Sequence, residues 1–517
     1  MNDGLVTDQT ARHYTSLWPQ ALYRAEDVRE LDRIAINQFG MPGFALMSAA
    51  GLAAFQLLQD RWPEARSINV FCGVGNNGGD GFIIASLAKR SGLPVKVILL
   101  GDAAKLKGDA LLAYQQCQGD KVAIVPFEAE SIVEADVVVD ALLGTGLSGS
   151  VRADHKSAIS TINRAHRPTL GIDIPSGLCA NTGRVLGAAT RCDATITFIG
   201  MKRGLLTHQG PDCTGDLFFA DLEVPSAVYD QVDAGCLRVQ VSDLRHNIKP
   251  RLKNTHKGNC GHVLIVGGDY GMAGAAVMAA EAAARSGAGF VSVATREAHV
   301  MPIISRRPEV MVRGCAEGDD ISDLLEKATV IVAGPGLGRG SWGAFLLEQV
   351  LESDKAVVLD ADGLNYLSVL AEQEPERVQR GNWVLTPHPG EAARLLGLSS
   401  KEIQDDRFAH VVALQQRYSG AVILKGNGTL IAGGGPLQMV TTGNPGMASG
   451  GMGDVLSGVV GGLLAQGLAL ETAAMLGAWV HGAAADKAVE NDGERGLLAT
   501  DLLPFIRQGV NGVLPCE

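Results

Sequence analysis

Short apolar runs that end in glycine-bearing loops, with helix-patterned stretches between them, recur through most of this chain. That alternation restricts the fold more than any other feature, because strands alternating with helices assemble into a mainly parallel sheet covered on both faces. In the first half, the run Ile68–Cys72 leads into Gly73-Val74-Gly75-Asn76-Asn77-Gly78-Gly79-Asp80-Gly81, and residues 82–90 then carry a helical pattern. Strand, glycine-rich loop and helix in that order make the phosphate-binding turn of doubly wound sheets. Further strand-like runs fall at 95–100, 122–125, 137–141, 170–174 and 194–199. Two helices are expected ahead of them, at 25–38 with a stripe of Val28, Leu31, Ile34 and Ala35, and at 44–58. The expected fold of this half is a Rossmann-like doubly wound sheet, whose functional residues gather beyond the carboxyl ends of the strands.

A second α/β series opens with residues 262–267 and continues at 290–294, 330–334, 356–360, 383–386 and 421–425. The pair Thr429–Ala432 and Leu437–Val440, joined by Gly433-Gly434-Gly435-Pro436, reads as a hairpin. Between residues 224 and 241 the periodicity loosens, so domains are expected at 1–230 and 241–517. A chain of 517 residues exceeds what one core usually covers, and no repeat relates the halves, which points to a fusion of different α/β domains.

Hydrophobic residues make up 46% and charged residues 19%, the balance of a globular rather than a disordered chain. The net charge of −12, without a dense Lys/Arg cluster interleaved with aromatics, argues against a nucleic-acid surface. An anionic nucleotide must therefore find its positive groups locally. The nine cysteines form no CxxC pair, so reduced, mostly buried thiols are expected instead of a zinc site or a disulfide framework. No basic segment followed by an apolar one opens the chain, and the glycine- and alanine-rich run 446–470 is broken by Asp454 and Gln466, which reads as a buried helix rather than a membrane span. A cytoplasmic homo-oligomer with no membrane partner is the expectation.

Residues 444–458, NPGMASGGMGDVLSG, concentrate the chemistry of the second half. Gly443, Gly446, Gly450, Gly451 and Gly453 crowd one loop, and backbone N–H groups without Cβ atoms around them can approach an anion closely. Asp454 falls in the first turn of the helix that follows. There it is either an ordinary first-turn acid or the group that takes a hydroxyl proton during phosphoryl transfer. Other loaded loops of this half contain Gly334-Pro335-Gly336-Leu337-Gly338, Asp360-Ala361-Asp362-Gly363, His388-Pro389-Gly390-Glu391 and Lys425-Gly426-Asn427-Gly428-Thr429. In the first half, loops 140–146 and 173–177 accompany the glycine-rich stretch, and Asn77, Asp140 and Ser176 offer oxygen ligands that suit a hard cation. Asp173, alone before Ile174-Pro175, also suits a turn cap.

The 444–458 stretch resembles the anion-hole and catalytic-aspartate motif of the ribokinase-like superfamily, with Met452 where a small residue is common. Taken with Lys253-Asn254-Thr255-His256-Lys257-Gly258, it is similar to the ADP-dependent NAD(P)H-hydrate dehydratases. Residues 25–225 resemble the NAD(P)H-hydrate epimerases. The resemblance implies a Rossmann-like epimerase domain at 1–230 followed by a ribokinase-like dehydratase domain at 241–517. It implies repair of hydrated NADH and NADPH (NADHX and NADPHX), with ADP as phosphoryl donor, magnesium in the second domain and potassium in the first. In the epimerase half it assigns Asn76, Asn77, Gly78, Gly79, Asp80, Gly144, Thr145, Gly146, Leu147, Ser148, Gly149 and Ser150 to the nucleotide. It further assigns Asn77, Asp140 and Ser176 to potassium, and Asp173 to the hydrated ring as acid and base. In the dehydratase half it assigns Gly336, His388 and Asp454 to the hydrated-nicotinamide side, Asp454 being the catalytic base. Lys425, Gly426, Asn427, Gly428, Thr429, Asn444, Gly446, Gly450, Gly451 and Gly453 go to ADP, and Glu391 stands where related kinases place an acid that organises magnesium. A ribokinase-like small-molecule kinase fused to a nucleotide-sensing domain has nearly the same parts and differs in its product.

Overall fold

Burial on both faces explains why the strands read as unbroken apolar runs. In this computed structural model, which describes residues 12–129, 133–147 and 149–514, the chain divides between Cys236 and Leu237 into two compact units. The first unit holds a parallel sheet in the order Ala123–Pro126, Val95–Leu99, Ile68–Cys72, Val137–Ala141, Thr169–Ile172, Ala194–Phe198, Asp216–Ala220. Val70 and Val139 enter one core with Phe82 and Ile84, while Phe71 and Val138 enter another with Ile159 and Ile162. Successive residues therefore both meet apolar surface, and no polar alternation is possible. The strand order reverses beside Ile68–Cys72, so the crevice for a ligand lies between the loops that follow Ile68–Cys72 and Val137–Ala141. Ala21–Tyr23 and Met201–Lys202 form a further parallel pair in this unit.

The glycine-rich stretch departs from its expected form. Asn76–Gly81 is not loop but the opening of the helix Asn76–Arg90. A Cβ on Gly78 would stand 2.0 Å from the Gly73 carbonyl oxygen, and one on Gly79 would stand 2.6 Å from the Met47 sulfur. These glycines therefore seat the helix start tightly, and Gly75, Asn76 and Asn77 at that start line the crevice. Residues 224–241 are also more ordered than their weak periodicity suggests, with Ser226–Tyr229, Cys236–Arg238 and Val241–Asn247 as short elements.

In the second unit the order is Met311–Gly314, Phe290–Thr295, His262–Val266, Val330–Ala333, Ala356–Leu359, Trp383–Leu385, Ala421–Leu424, all parallel, and then the antiparallel hairpin Thr429–Ala432 and Leu437–Val440. Strands Met311–Gly314 and Asp216–Ala220 are short edge strands with polar residues, and their patterns do not announce them. The helix Met452–Ala465 packs on Ala273–Arg285 at backbone contact. A Cβ on Gly458 would lie 2.2 Å from the Ala279 carbonyl oxygen, and one on Gly462 would lie 2.0 Å from the Ser286 hydroxyl. This close crossing explains the small-residue run and fixes where Asp454 stands. Every described cysteine is free and all but Cys179 are buried, and no described helix is long and apolar enough to cross a membrane.

Candidate active sites at the carboxyl ends of two sheets

At the switch point of the first sheet lies a cavity of about 660 Å³. Asn76, Asn77 and Asp80 line it from the helix start, Gly144, Thr145, Gly146, Leu147 and Ser150 from the next loop, and Asp173 and Lys202 from further along the sheet. Gly78 and Gly79 lie beneath it as packing glycines, Gly149 turns the chain at φ +76° off the wall, and Ser148 is outside the described residues. Asp173 has φ +66°, a left-handed conformation that costs a non-glycine residue energy and is held by its surroundings. Its carboxylate pairs with the buried ammonium of Lys202, which also donates to Thr197 Oγ1 at 3.0 Å and to the Phe198 carbonyl at 2.9 Å. Two further carboxyl groups share this neighbourhood. Burial, with Asp173 adding to it against the pull of Lys202, pushes Asp32 up to about 6. Burial, then the proximity of Asp173 and Asp32, raises Asp80 well above the carboxylate range. Asp80 thus stands beside the Asp173–Lys202 ion pair with its proton affinity raised.

Asp140 and Ser176 do not line the cavity and lie buried below it. The Ser176 hydroxyl donates to Asp140 Oδ1 at 2.6 Å, and the Ser176 N–H donates to Oδ2 at 2.8 Å. Asn77 is buried with both ends of its side-chain amide lacking a hydrogen-bond partner, next to Gly144, where a Cβ would sit 3.2 Å from Asn77 Cβ. An orphaned buried amide is costly unless something satisfies it. Its carbonyl oxygen, the Asp140 carboxylate and the Ser176 hydroxyl are all-oxygen donors of the kind a hard cation takes, so the residues present fit potassium.

The second site is organised around one lysine. Lys425 Nζ lies 2.9 Å from Asp360 Oδ1 and 3.9 Å from Glu391 Oε2. Burial opposes its charge, but Asp360 and Glu391 hold the ammonium above its ordinary value. A Cβ on Gly453 would be 3.1 Å from that ammonium and 3.3 Å from Asp360 Oδ2, so the start of the helix Met452–Ala465 rests on the pair. Burial and then Asp360, partly offset by Lys425, push Asp454 up to about 7. Glu391 also rises to about 7, chiefly through burial. Ala361 stands between Asp360 and Asp362 with φ +48° and ψ −116°, and Asp362 accepts the Gly338 N–H at 3.0 Å, which ties the 334–338 loop to this cluster. His388 Nδ1 accepts the Gly390 N–H at 3.0 Å, so its proton sits on Nε2, 3.3 Å from Glu391 Oε1. Glu391 Oε2 accepts the His388 N–H at 2.8 Å. It is therefore a helix-capping acid facing Lys425, and among the described residues no three carboxylates, imidazoles or thiolates are grouped to hold a metal.

The expected ADP-binding residues divide into loop frame and open surface. Asn444 spends its amide on Asp486 (2.9 Å) and on the Gly446 N–H (3.0 Å), and Thr429 Oγ1 donates to the Gly426 carbonyl. Beneath 425–429, the buried guanidinium of Arg407 donates to the Asn427, Leu424 and Lys425 carbonyls. A Cβ on Gly426 would reach it at 2.9 Å. Gly450 meets nothing within 4 Å of such a Cβ, and Gly451 (φ +91°) starts the helix. Gly336, at φ +57°, packs on Met272.

Residues 263–508 match the family model described as NAD(P)H-hydrate dehydratase, and residues 43–204 match the one described as YjeF-related protein N-terminus. The bifunctional NAD(P)H-hydrate repair enzyme of Coxiella burnetii is 48% identical over 95% of this chain and 99% of that one. This chain belongs to the bifunctional NAD(P)H-hydrate repair enzymes. The Escherichia coli enzyme of the same name is 43% identical over 98% of this chain and 97% of its own. A solved ribokinase-like protein from Enterococcus faecalis superposes with a TM-score of 0.50 at 29% identity, covering 55% of this chain and 98% of that one. The second unit is therefore ribokinase-like, as the Asp454 motif implied, and the first is a Rossmann-like doubly wound sheet.

Several residues of these sites escape sequence reasoning. Asp32 lines the first cavity from the helix Ala25–Asn37, and its only local signal is an acid next to the apolar stripe. His481 is buried, with Nε2 lacking a partner, and burial and then Lys425 push it down to about 4. Nothing near it in sequence announces that role. Lys253 to Gly258, part of the motif that carries the family resemblance, precedes the strand His262–Val266 and sits at the amino end of the sheet, where Lys257 Nζ stands 4.7 Å from the centroid of the Phe290 ring.

Proposed function

We propose that the first unit epimerises the R and S hydrates of NADH and NADPH. The second unit, on this reading, dehydrates the S hydrate with ADP, giving NAD(P)H, AMP and phosphate. The observation that carries it is Asp454, a carboxyl group poised near neutrality at a helix start, beside an ammonium and glycine-lined N–H groups. Hydroxide is a poor leaving group. Asp454 takes the proton of the ring hydroxyl while that oxygen attacks the terminal phosphoryl group of ADP. The Lys425 ammonium and the N–H groups of the 450–453 segment face the charge that develops. Phosphate then leaves with the push of the ring-nitrogen lone pair, and loss of a proton from the adjacent ring carbon to water restores the dihydronicotinamide. Neutral His388 offers its Nε2 proton to the same substrate. Magnesium would enter with the nucleotide phosphates, as it commonly does, rather than on a preformed carboxylate cage.

In the first unit the substrate carbon bears both hydroxyl and ring nitrogen, so loss and re-addition of water invert it. Asp173 exchanges the proton, and Lys202 holds its carboxylate in place. Arg29 and Arg152, also on the cavity wall, face the substrate phosphates. Asn77, Asp140 and Ser176 would hold potassium, which supplies positive charge beside those phosphates. The test is to incubate the protein with mixed hydrate epimers, ADP and magnesium. Full recovery of reduced-nicotinamide absorbance, with one phosphate released per nucleotide, is expected. Partial recovery that stops when the S epimer is consumed rejects the epimerase, and a stable phosphorylated product rejects the dehydratase in favour of a kinase.

A further inference from the structure

We infer a second ligand site in the first unit, a basic groove at the amino end of its sheet that takes a small anion bearing two or more phosphate charges. The groove, of about 880 Å³, shares no lining residue with the cavity around Asp173. It opens where the chain enters two strands, with Pro168 before and Thr169 opening one, and Asp193 before the other. Lys156, Arg164, Arg167 and Arg191 line it, all exposed, and none forms an ion pair with a carboxylate among the described residues. Two acids, Asp193 and Asp212, also line the groove, and four cations against two carboxylates leave it a net positive charge. Asp193 Oδ2 is committed to the Thr169 N–H at 2.8 Å, and Asp212 lies in the first turn of Gly210–Thr214. Asn163 anchors the rim by donating to the Ala189 carbonyl at 3.0 Å and accepting the Arg191 N–H at 2.9 Å. This concentration of unpaired cations stands in a chain of net charge −12.

Gathered like charges raise the local potential, and an anion that bridges them relieves it. Arginine forks match phosphate oxygens in pairs, and the several oxygens and charges of a diphosphate can engage more than one of these cations at once. A volume of this size suits a nucleotide-sized molecule, and Val185 and Ala188 add apolar surface on which a flat base can rest. The test titrates inorganic pyrophosphate and, separately, ADP into the full-length protein by calorimetry at low salt. The same titrations follow with the Arg167→Ala/Arg191→Ala double variant. Wild type should bind one more equivalent of each than the variant, or bind it at least about tenfold more tightly, with that component fading at high salt. Arg167→Lys/Arg191→Lys should retain part of it, and thermal unfolding and basal activities should be unchanged in both variants. Tighter binding of ADP than of pyrophosphate assigns a role to the base, and equal binding identifies the polyphosphate as the whole determinant. Identical isotherms for wild type and the alanine variant overturn the inference. So does a groove that ignores both probes and binds a single-stranded oligonucleotide.

Discussion

In the first unit the buried lysine is committed. Lys202 pairs with Asp173 and donates to Thr197 and Phe198, while Asp32 and Asp80 stand apart with raised proton affinity. In the second unit the lysine is shared. Lys425 holds Asp360, lies 3.9 Å from Glu391 and only moderates Asp454, whose proton affinity stays near neutrality. Both arrangements sit beyond the carboxyl ends of a parallel sheet, and both mix one cation with several acids. The difference suits the tasks proposed for them. Moving water off and on a carbon needs an acid and a held carboxylate, whereas activating a hydroxyl toward phosphorus needs a base that lets its proton go again.

The largest expected effect is on the shared-lysine site. Asp454→Asn keeps the shape and removes the base, so dehydration should fall by about 10²–10⁴-fold, while chiral chromatography shows epimerisation unchanged. A loss of both activities would mean the two sites do not act independently. Next, Asp173→Ala should abolish epimerisation and leave dehydration of the S hydrate intact. Because it strands the Lys202 ammonium, it should also cost the first unit about 3–5 kcal/mol, read by denaturant unfolding. An unperturbed midpoint would show that the committed pair is not the brace it resembles.

A third prediction uses the raised acids. Asp454 must be ionised to act, so the dehydratase kcat/KM should fall as pH drops below about 7. Lys425 opposes the rise of Asp454, so in Lys425→Met the residual activity should have its acid limb at higher pH. An unmoved limb would assign it to another group. The sign for stability is opposite. A carboxyl whose folded pKa exceeds its unfolded value near 4 stabilises the fold below that value and loses the contribution as pH rises through about 7. Asp454→Asn should therefore flatten the decline of the melting temperature over that window. Smaller still, replacing potassium by tetramethylammonium should slow epimerisation and spare dehydration, since Asn77, Asp140 and Ser176 belong to the first unit. Equal rates in both salts would leave the Asn77 amide unexplained. The smallest effect is expected at Lys257→Ala, less than about twofold on either rate, because that residue lies at the opposite end of the sheet from Asp454. A large loss would place the 253–258 motif in the reaction.

Local pattern made much of this legible. Most strands and the hairpin Thr429–Ala432 with Leu437–Val440 appear in apolar runs and glycine punctuation, because those signals act within a few residues. Asp454 was legible for the same reason, as an acid in the first turn after a glycine cluster. Edge strands such as Met311–Gly314 were not, since pairing with Phe290–Thr295 rather than their own pattern makes them strands. Nor was the helical form of Asn76–Gly81, which depends on how closely Gly73 and Met47 approach Gly78 and Gly79.

The sequence by itself determined two successive α/β series, the glycine loops that point at phosphate chemistry, and a family resemblance running through both halves. Only the tertiary structure decided which charges meet. Asp360 reaches Lys425 across 65 positions of chain, Lys202 reaches Asp173 across 29, and Lys156 and Arg191 come to share one groove. A proton affinity is set by burial and by every charge within a few ångströms. Those neighbours arrive on separate loops that only the closing of a sheet brings together, so no local stretch of sequence encodes the difference between a committed lysine and a shared one.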